Sequence, residues 1–298
     1  MKWRAVWIVV LAILTGCAAK PSSPFPGFID CRSCEQWNAQ FEPFLIYGNT
    51  YYVGVAGLSS ILINGGDGLI LIDGGLPQSA PIILQNIRAL GFDPKDVALL
   101  LVSHVHYDHV GGTAYLQAQT GAPVLAHPLA VPVLRSATMS TDDPQFSYQA
   151  PGIAYPPVTG EILADNFDSV RIGDIEINGV FTPGHTPSGM SWTWRSCVGE
   201  RCLDIVYADS LTPVSGDDYR FTDGLGDALR QSAETVATLP CDIFLSTHGF
   251  TFDLAAKRQA GWHAFIDGDE CVRYSLKTLG SLERRLEREA EALSESVD

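Results

Sequence analysis

Basic residues are scarce in this chain: 19 Lys and Arg stand against 34 Asp and Glu in 298 residues, for a formal charge of −15. That balance repels phosphate backbones and argues against nucleic-acid partners. No Lys/Arg cluster of the kind that holds a protein on anionic lipid is present. Low-complexity segments and short-period repeats are missing too, and charged residues make up only 18%, which sets aside coiled-coil and disordered chains. The apolar run Ala5 to Leu14 is shorter than the roughly 20 residues a spanning helix needs. What is left is ordinary globular composition, 46% hydrophobic with Gly 28 and Pro 18. The length allows two domains or one large layered one.

Lys2 and Arg4 precede that apolar run, which ends in Leu14-Thr15-Gly16-Cys17. This is the layout of an export signal, and small residues before a cysteine resemble a bacterial lipoprotein processing site. Residues 1–16 are expected to leave as a signal peptide and Cys17 to carry lipid. Residues 17–40 then serve as an N-terminal tether and loop, with Ala18 to Gly27 rich in Pro and Ser, ahead of a single domain at 41–298. Loss of Lys2 and Arg4, with no acidic residue, moves the charge from −15 to −17. The mature protein is expected in the periplasm, touching a membrane only through that anchor.

Cysteine usage agrees with export. The count is 7, odd for a secreted protein, and with Cys17 acylated six remain for three disulfides. Cys31 and Cys34 form a C-x-x-C, which suits a redox pair or half a zinc site. No second C-x-x-C follows and no thioredoxin-like unit surrounds it, so a structural disulfide is the better reading. Cys197 and Cys202 flank a hairpin tip, Val198 to Arg201, and are placed to staple it.

Apolar alternation and turn residues predict strands at Phe44–Tyr47, Tyr51–Val55, Ser59–Asn64, Gly68–Ile72, Val97–Val102 and Pro123–Ala126. Helical spacing predicts Pro77–Leu90 and Val110–Thr120. Pro128 to Gly160, proline-rich and weakly periodic, reads as a long connection over one end of the fold. Strands follow at Ser169–Ile172, Ile175–Phe181, Ser191–Arg195 and Asp204–Tyr207. Then come helices at Asp227–Leu239, Ala255–Phe265 and Val272–Ser294, the last apolar at Leu276, Leu279, Leu282 and Leu286. Strands first and helices after, twice over, point to an α/β fold of two sheets packed face to face with helices outside.

The chemistry concentrates in Ser103-His104-Val105-His106-Tyr107-Asp108-His109, where a hydrophobic strand ends. In extended backbone, residues two apart face the same way, so His104 and His106 reach one ion. Beyond the turn, Asp108 and His109 point to a neighbouring position. Imidazole and carboxylate suit a borderline ion such as zinc. His185, in Thr182-Pro183-Gly184-His185-Thr186, and His248, in Leu245-Ser246-Thr247-His248-Gly249, also follow strand-like segments. His127 and His263 read as structural or surface residues.

The H-x-H-x-D-H string at 104–109, with Gly184-His185 and Thr247-His248, resembles the metallo-β-lactamase superfamily. Within it the chain is most similar to the third subclass, from about Tyr47 to the C-terminal helix. The more specific pieces are Asp108-His109-Val110-Gly111-Gly112, Pro183-Gly184-His185-Thr186-Pro187, Ser191-Trp192-Thr193-Trp194 and Tyr207-Ala208-Asp209-Ser210-Leu211-Thr212. The resemblance implies a four-layer αβ/βα sandwich and two Zn²⁺ per chain, one held by His104, His106 and His185, the other by Asp108, His109 and His248. It implies a Cys241–Cys271 disulfide, and Ser210 where another subclass uses cysteine. The activity implied is opening of the β-lactam ring of penicillins, cephalosporins and carbapenems by zinc-activated water, oriented by Asp108, without an acyl-enzyme. Ser210 and Thr212 would hold the carboxylate of this small-molecule substrate, since no basic residue lies between Ser210 and Tyr219. The chain is expected to act as a monomer. Gly249-Phe250 departs from the Pro and small polar residue usual after the last histidine, and points to a differently shaped pocket mouth. The alternative is a dizinc thioesterase or lactonase of the same superfamily, in which Asp209 would bridge the metals.

Overall fold

A computed structural model describes residues 27–148, 154–164 and 169–295. The expected signal peptide, Cys17 and the tether as far as Pro26 lie outside the described residues. Seven strands form the first sheet in chain order: β1 (Phe44–Tyr47), β2 (Thr50–Tyr52), β3 (Ile61–Asn64), β4 (Leu69–Ile72), β5 (Val97–Leu101), β6 (Val124–Leu125) and β7 (Ile162–Leu163). β1 to β4 are antiparallel, and β4 to β7 run parallel. The second sheet has the order β12-β11-β10-β9-β8, from β8 (Ser169–Ile172), β9 (Ile175–Phe181), β10 (Met190–Val198), β11 (Arg201–Ala208) and β12 (Ile243–Ser246). This mixed architecture is the αβ/βα sandwich expected.

Alternation along the strands decides what each sheet covers. Ile61, Ile63, Ile70, Ile72, Leu99 and Leu101 join Trp192, Trp194, Ile205 and Tyr207 in one buried cluster. Their neighbours Leu62, Leu69, Leu71, Leu100 and Val124 join a second, with Ile83, Leu84 and Ile87 of helix α2 (Ala80–Ala89). Strands apolar on both faces are what a sheet needs when it is covered on both sides. Helix α1 (Cys34–Trp37) lies within the segment read as tether and loop, where Ile29 and Cys34 are buried in that second cluster.

Several elements differ from the sequence reading. The helix expected over Val110–Thr120 is two: α3 (Tyr107–Val110) and α4 (Thr113–Thr120). Gly111 and Gly112 separate them because the chain is pressed against the strand-β4 loop; a Cβ on Gly112 would lie 2.3 Å from the Gly74 carbonyl oxygen. The long connection carries a helix of its own, α5 (Val131–Ser136). Helix α6 (Gly226–Thr238) stands where expected. Ala255–Phe265 is helix α7 (Leu254–Ala260), halted by Gly261 at φ +96°, followed by a separate 3-10 turn.

The last helix, α8 (Glu270–Glu295), packs Leu279, Leu282 and Leu286 on the core as expected, but not Leu276. Leu276 is 62% exposed, and the buried stripe runs through Cys271, Tyr274, Ser275, Thr278 and Leu282. Polar residues occupy it because they serve the loop beneath, as the site geometry below makes plain. Disulfides join Cys31–Cys34, Cys197–Cys202 and Cys241–Cys271, the last tying the start of β12 to the first turn of α8.

At the far end of α8, Glu289 accepts hydrogen bonds from Phe221 N at 3.0 Å and Thr222 N at 2.9 Å, and from Thr222 Oγ1 and Arg285 Nε at 2.7 and 2.6 Å. Burial pushes its carboxyl up, but these donors pull it down from 4.5 to about 2. A folded-state value below the unfolded one adds stability above about pH 4.5, and that stability is lost as pH falls toward 2. Glu289→Gln is expected to cost about 2 kcal/mol at pH 7 and to flatten the pH dependence of the urea midpoint below pH 4.5. A variant that tracks the wild type across that window would remove Glu289 from the account.

Candidate metal centre

Strand β5 delivers Ser103 and His104 to the open end of the sandwich, and α3 turns Asp108 and His109 toward the same place. Asp73, just after β4, shapes this turn. It sits at φ +60°, tolerated by aspartate, and its carboxylate accepts from Ser103 N at 2.8 Å, Ser103 Oγ at 2.7 Å and Tyr207 OH at 2.7 Å. Burial pushes the Asp73 carboxyl up. The loops after β9 and β12 bring His185 and His248 alongside.

The six residues form two groups, His104–His106–His185 and Asp108–His109–His248, each with ligand atoms within 4.8 Å of one another. All are buried except His248, which is half-buried. Four of the five histidines spend one ring nitrogen on a partner outside the centre. His104 Nδ1 lies 2.7 Å from Asp209 Oδ1, and His106 Nε2 lies 3.1 Å from Asp143 Oδ1. His185 Nδ1 lies 3.0 Å from the Thr212 carbonyl, and His248 Nδ1 3.1 Å from the Gly57 carbonyl. Such partners orient an imidazole and set its tautomer, leaving the other nitrogen as a lone-pair donor. His104 Nε2 is buried with no hydrogen-bond partner in the protein, as a nitrogen kept for a metal ion would be.

Electrostatics point the same way. Burial holds His104 well below the ordinary imidazole range, and the neighbouring histidines add to this. Burial, then His106, brings His185 to about 3; burial, then His109, brings His248 to about 4. These rings are neutral at pH 7, as ligation requires. For Asp108, burial works upward, yet His109, His248 and His106 hold it below the usual carboxylate range. A charged carboxylate among converging imidazoles is a donor set that fits a borderline divalent cation, and the centre is a metal site.

Asp209 belongs to neither group. It is fully buried behind His104, on the Nδ1 side, where a carboxylate orients an imidazole. His127 stacks on Phe181 and His263 on Trp262, both away from the centre, as the sequence indicated. Ser210 and Thr212 do line the cavity above the metal site, whose volume is about 360 Å³. Sequence reasoning missed Asp73, Asp143, Gln145 and Lys277. Asp73 had a signal, an aspartate before Gly74-Gly75 at the end of a buried strand. Asp143 and Gln145 had none, lying in the aperiodic connection. Gln145 Nε2 sits 3.3 Å from His185 Nε2. At the pocket mouth Phe250, 64% exposed, stacks on His248 at 4.8 Å, with Trp37 on the same ring at 5.4 Å.

Comparison with known proteins places this geometry. The solved structure of the Rm3 metallo-beta-lactamase is 43% identical, with a TM-score of 0.83, over 88% of this chain and 99% of that one. MEM-A1, a subclass B3 metallo-beta-lactamase isolated from a soil metagenome library, is 41% identical with a TM-score of 0.80, over 86% and 99%. Curated relatives are more distant. A hydroxyacylglutathione hydrolase of Bradyrhizobium sp. is 28% identical over 132 residues, 44% of this chain and 41% of that protein; the chain spans about two fifths of the length of such relatives. The family model for the metallo-beta-lactamase superfamily matches residues 53–248. With every residue of the two groups inside or at the edge of that span, the chain belongs to the metallo-beta-lactamase superfamily.

Proposed function

We propose that this protein is a zinc-dependent hydrolase that opens the β-lactam ring of penicillins, cephalosporins and carbapenems, holding two zinc ions per chain in the His104–His106–His185 and Asp108–His109–His248 groups. The observation that carries it is the pairing of two complete ligand groups with 41–43% identity to β-lactamase structures across nearly their whole length. Bound zinc supplies a Lewis acid and a water activated at neutral pH. The chain supplies the rest. Asp108, ionised at pH 7, orients that water toward the ring carbonyl. His104, His106 and His185 are turned by Asp209, Asp143 and the Thr212 carbonyl, while burial keeps His104 and His185 neutral. Ser210 and Thr212 face the substrate carboxylate. No serine nucleophile is called for: Ser103, beside the cluster, is buried and committed to Asp73.

Purified, zinc-loaded protein is expected to hydrolyse nitrocefin, to lose that activity to a chelator, to regain it with zinc, and to ignore serine-directed inhibitors. Faster turnover of a glutathione thioester or an acyl lactone than of nitrocefin would reassign it to the thioesterase or lactonase reading. Placement of Asp209 behind His104 supports the β-lactamase reading.

We further infer that the mature protein, with 41–298 as its catalytic domain, works as a periplasmic monomer anchored through lipid on Cys17. The basic-then-apolar N-terminal string supports export, as do three cysteine pairs at bonding distance. Cys17→Ser is expected to move the protein from the membrane to the soluble fraction, or to block its processing, without loss of zinc. Wild-type protein that is soluble, with a mature N-terminus beyond residue 17, would refute the anchor.

A further inference from the structure

One wall of the pocket is α8, which lines it with Tyr274, Lys277, Thr278 and Ser281. This wall is tied to the loop that carries the candidate substrate hydroxyls. Leu211 N donates to Tyr274 OH at 2.7 Å, Tyr274 OH donates to the Asp209 carbonyl at 2.7 Å, and Thr278 Oγ1 donates to the Leu211 carbonyl at 2.9 Å. Lys277 therefore stands on a helix face pinned to that loop. It is exposed, and it is the single lysine or arginine among the described residues lining the cavity.

Its neighbours are already engaged. Lys257 pairs with Glu270, Arg273 with Asp267 and Arg285 with Glu289, whereas Lys277 forms no ion pair with a described carboxylate. The hydroxyls beneath bring no charge and are partly occupied: Ser210 Oγ lies 2.7 Å from Thr247 Oγ1, and Thr212 Oγ1 lies 3.1 Å from His185 Nδ1. In a chain of charge −15, an anionic substrate meets a repulsive field unless the pocket supplies a local cation.

We propose that Lys277 is a specificity-determining residue of this pocket, the cation that receives the substrate carboxylate beside Ser210 and Thr212. The proposal rests on the β-lactam reading and deepens it: positive charge absent from the 210–219 loop arrives from α8.

The test compares a β-lactam acid with its methyl ester, which keeps the ring and loses the charge, in wild type, Lys277→Ala and Lys277→Arg. For the acid, Lys277→Ala is expected to raise KM about five- to thirtyfold, with kcat and zinc content within about twofold of wild type. The ester should be unaffected, and Lys277→Arg should retain the preference for the acid. Salt should weaken the wild type toward the acid, and Lys277→Ala should lose that weakening, since salt there screens only the repulsive field. Equal effects on acid and ester, or none on either, overturn the proposal. Failure of the β-lactam reading is seen separately, as wild type that opens neither compound. Lys277 is then read by calorimetric binding of the chemically ring-opened dicarboxylate. Tighter binding by wild type than by Lys277→Ala upholds the cation subsite, and equal affinity rejects it.

Discussion

Asp108→Asn is expected to lower kcat by about 10²–10⁴-fold, the range for loss of a positioned acid–base group, while the thermal midpoint moves by only a few degrees. The two consequences separate because of what Asp108 touches. Its Oδ2 lies 3.3 Å from His109 Nε2 and 3.6 Å from His248 Nε2, and both are members of its own metal group. Unlike Asp73 or Glu289, its side chain anchors no backbone. Asparagine keeps the volume of this buried side chain, so the core stays filled, and only the charge that ligates and orients is removed. Because an amide is also the poorer ligand, turnover is to be expressed per bound zinc, measured by elemental analysis on the same sample. Turnover within about threefold of wild type per bound zinc would reject the assigned role.

The centre was legible in sequence because ligand chemistry is local. His104, His106, Asp108 and His109 come from one strand end and one turn, and the period of two in extended backbone already separates the pairs. His185 and His248 follow other strands, and their convergence follows from strand ends meeting at one edge of the sandwich. What holds those ligands was not legible. Asp143 reaches His106 across a proline-rich connection with no periodicity, and Gly57 reaches His248 through a carbonyl, which every residue has. On α8 the leucine pattern marked the core face at Leu279, Leu282 and Leu286 but not the polar part of the buried stripe. Beside the leucines α8 meets the 209–212 loop, and Tyr274 and Thr278 are buried there to satisfy its backbone, which an apolar pattern does not register. With Tyr274 and Thr278 placed against that loop, Lys277 turns from a helix-surface lysine into a pocket residue.

Asp209→Ala is expected to weaken zinc binding at the His104–His106–His185 group by about 10–100-fold, the usual consequence of losing a carboxylate that orients a ligating imidazole, and to leave the Asp108–His109–His248 group nearly unchanged. Asp209 is held in place by its own backbone: Asp209 N donates to Ser191 Oγ at 3.0 Å and its carbonyl accepts from Tyr274 OH. Its carboxylate is packed so close to Gly189 that a Cβ there would lie 2.3 Å from Oδ2. Oδ1 is thereby directed at His104 Nδ1 and nothing else in the centre. Asp209→Asn, which retains an acceptor oxygen, is expected to recover most of the affinity, a rescue that a merely space-filling role would not produce. Zinc retained by each variant against a competing chelator, resolved into one or two ions per chain, reads the outcome. Loss of one ion from Asp209→Ala, with the second retained, is the expected pattern. Loss of both together would make Asp209 a bridging ligand and shift the assignment toward a thioesterase or lactonase.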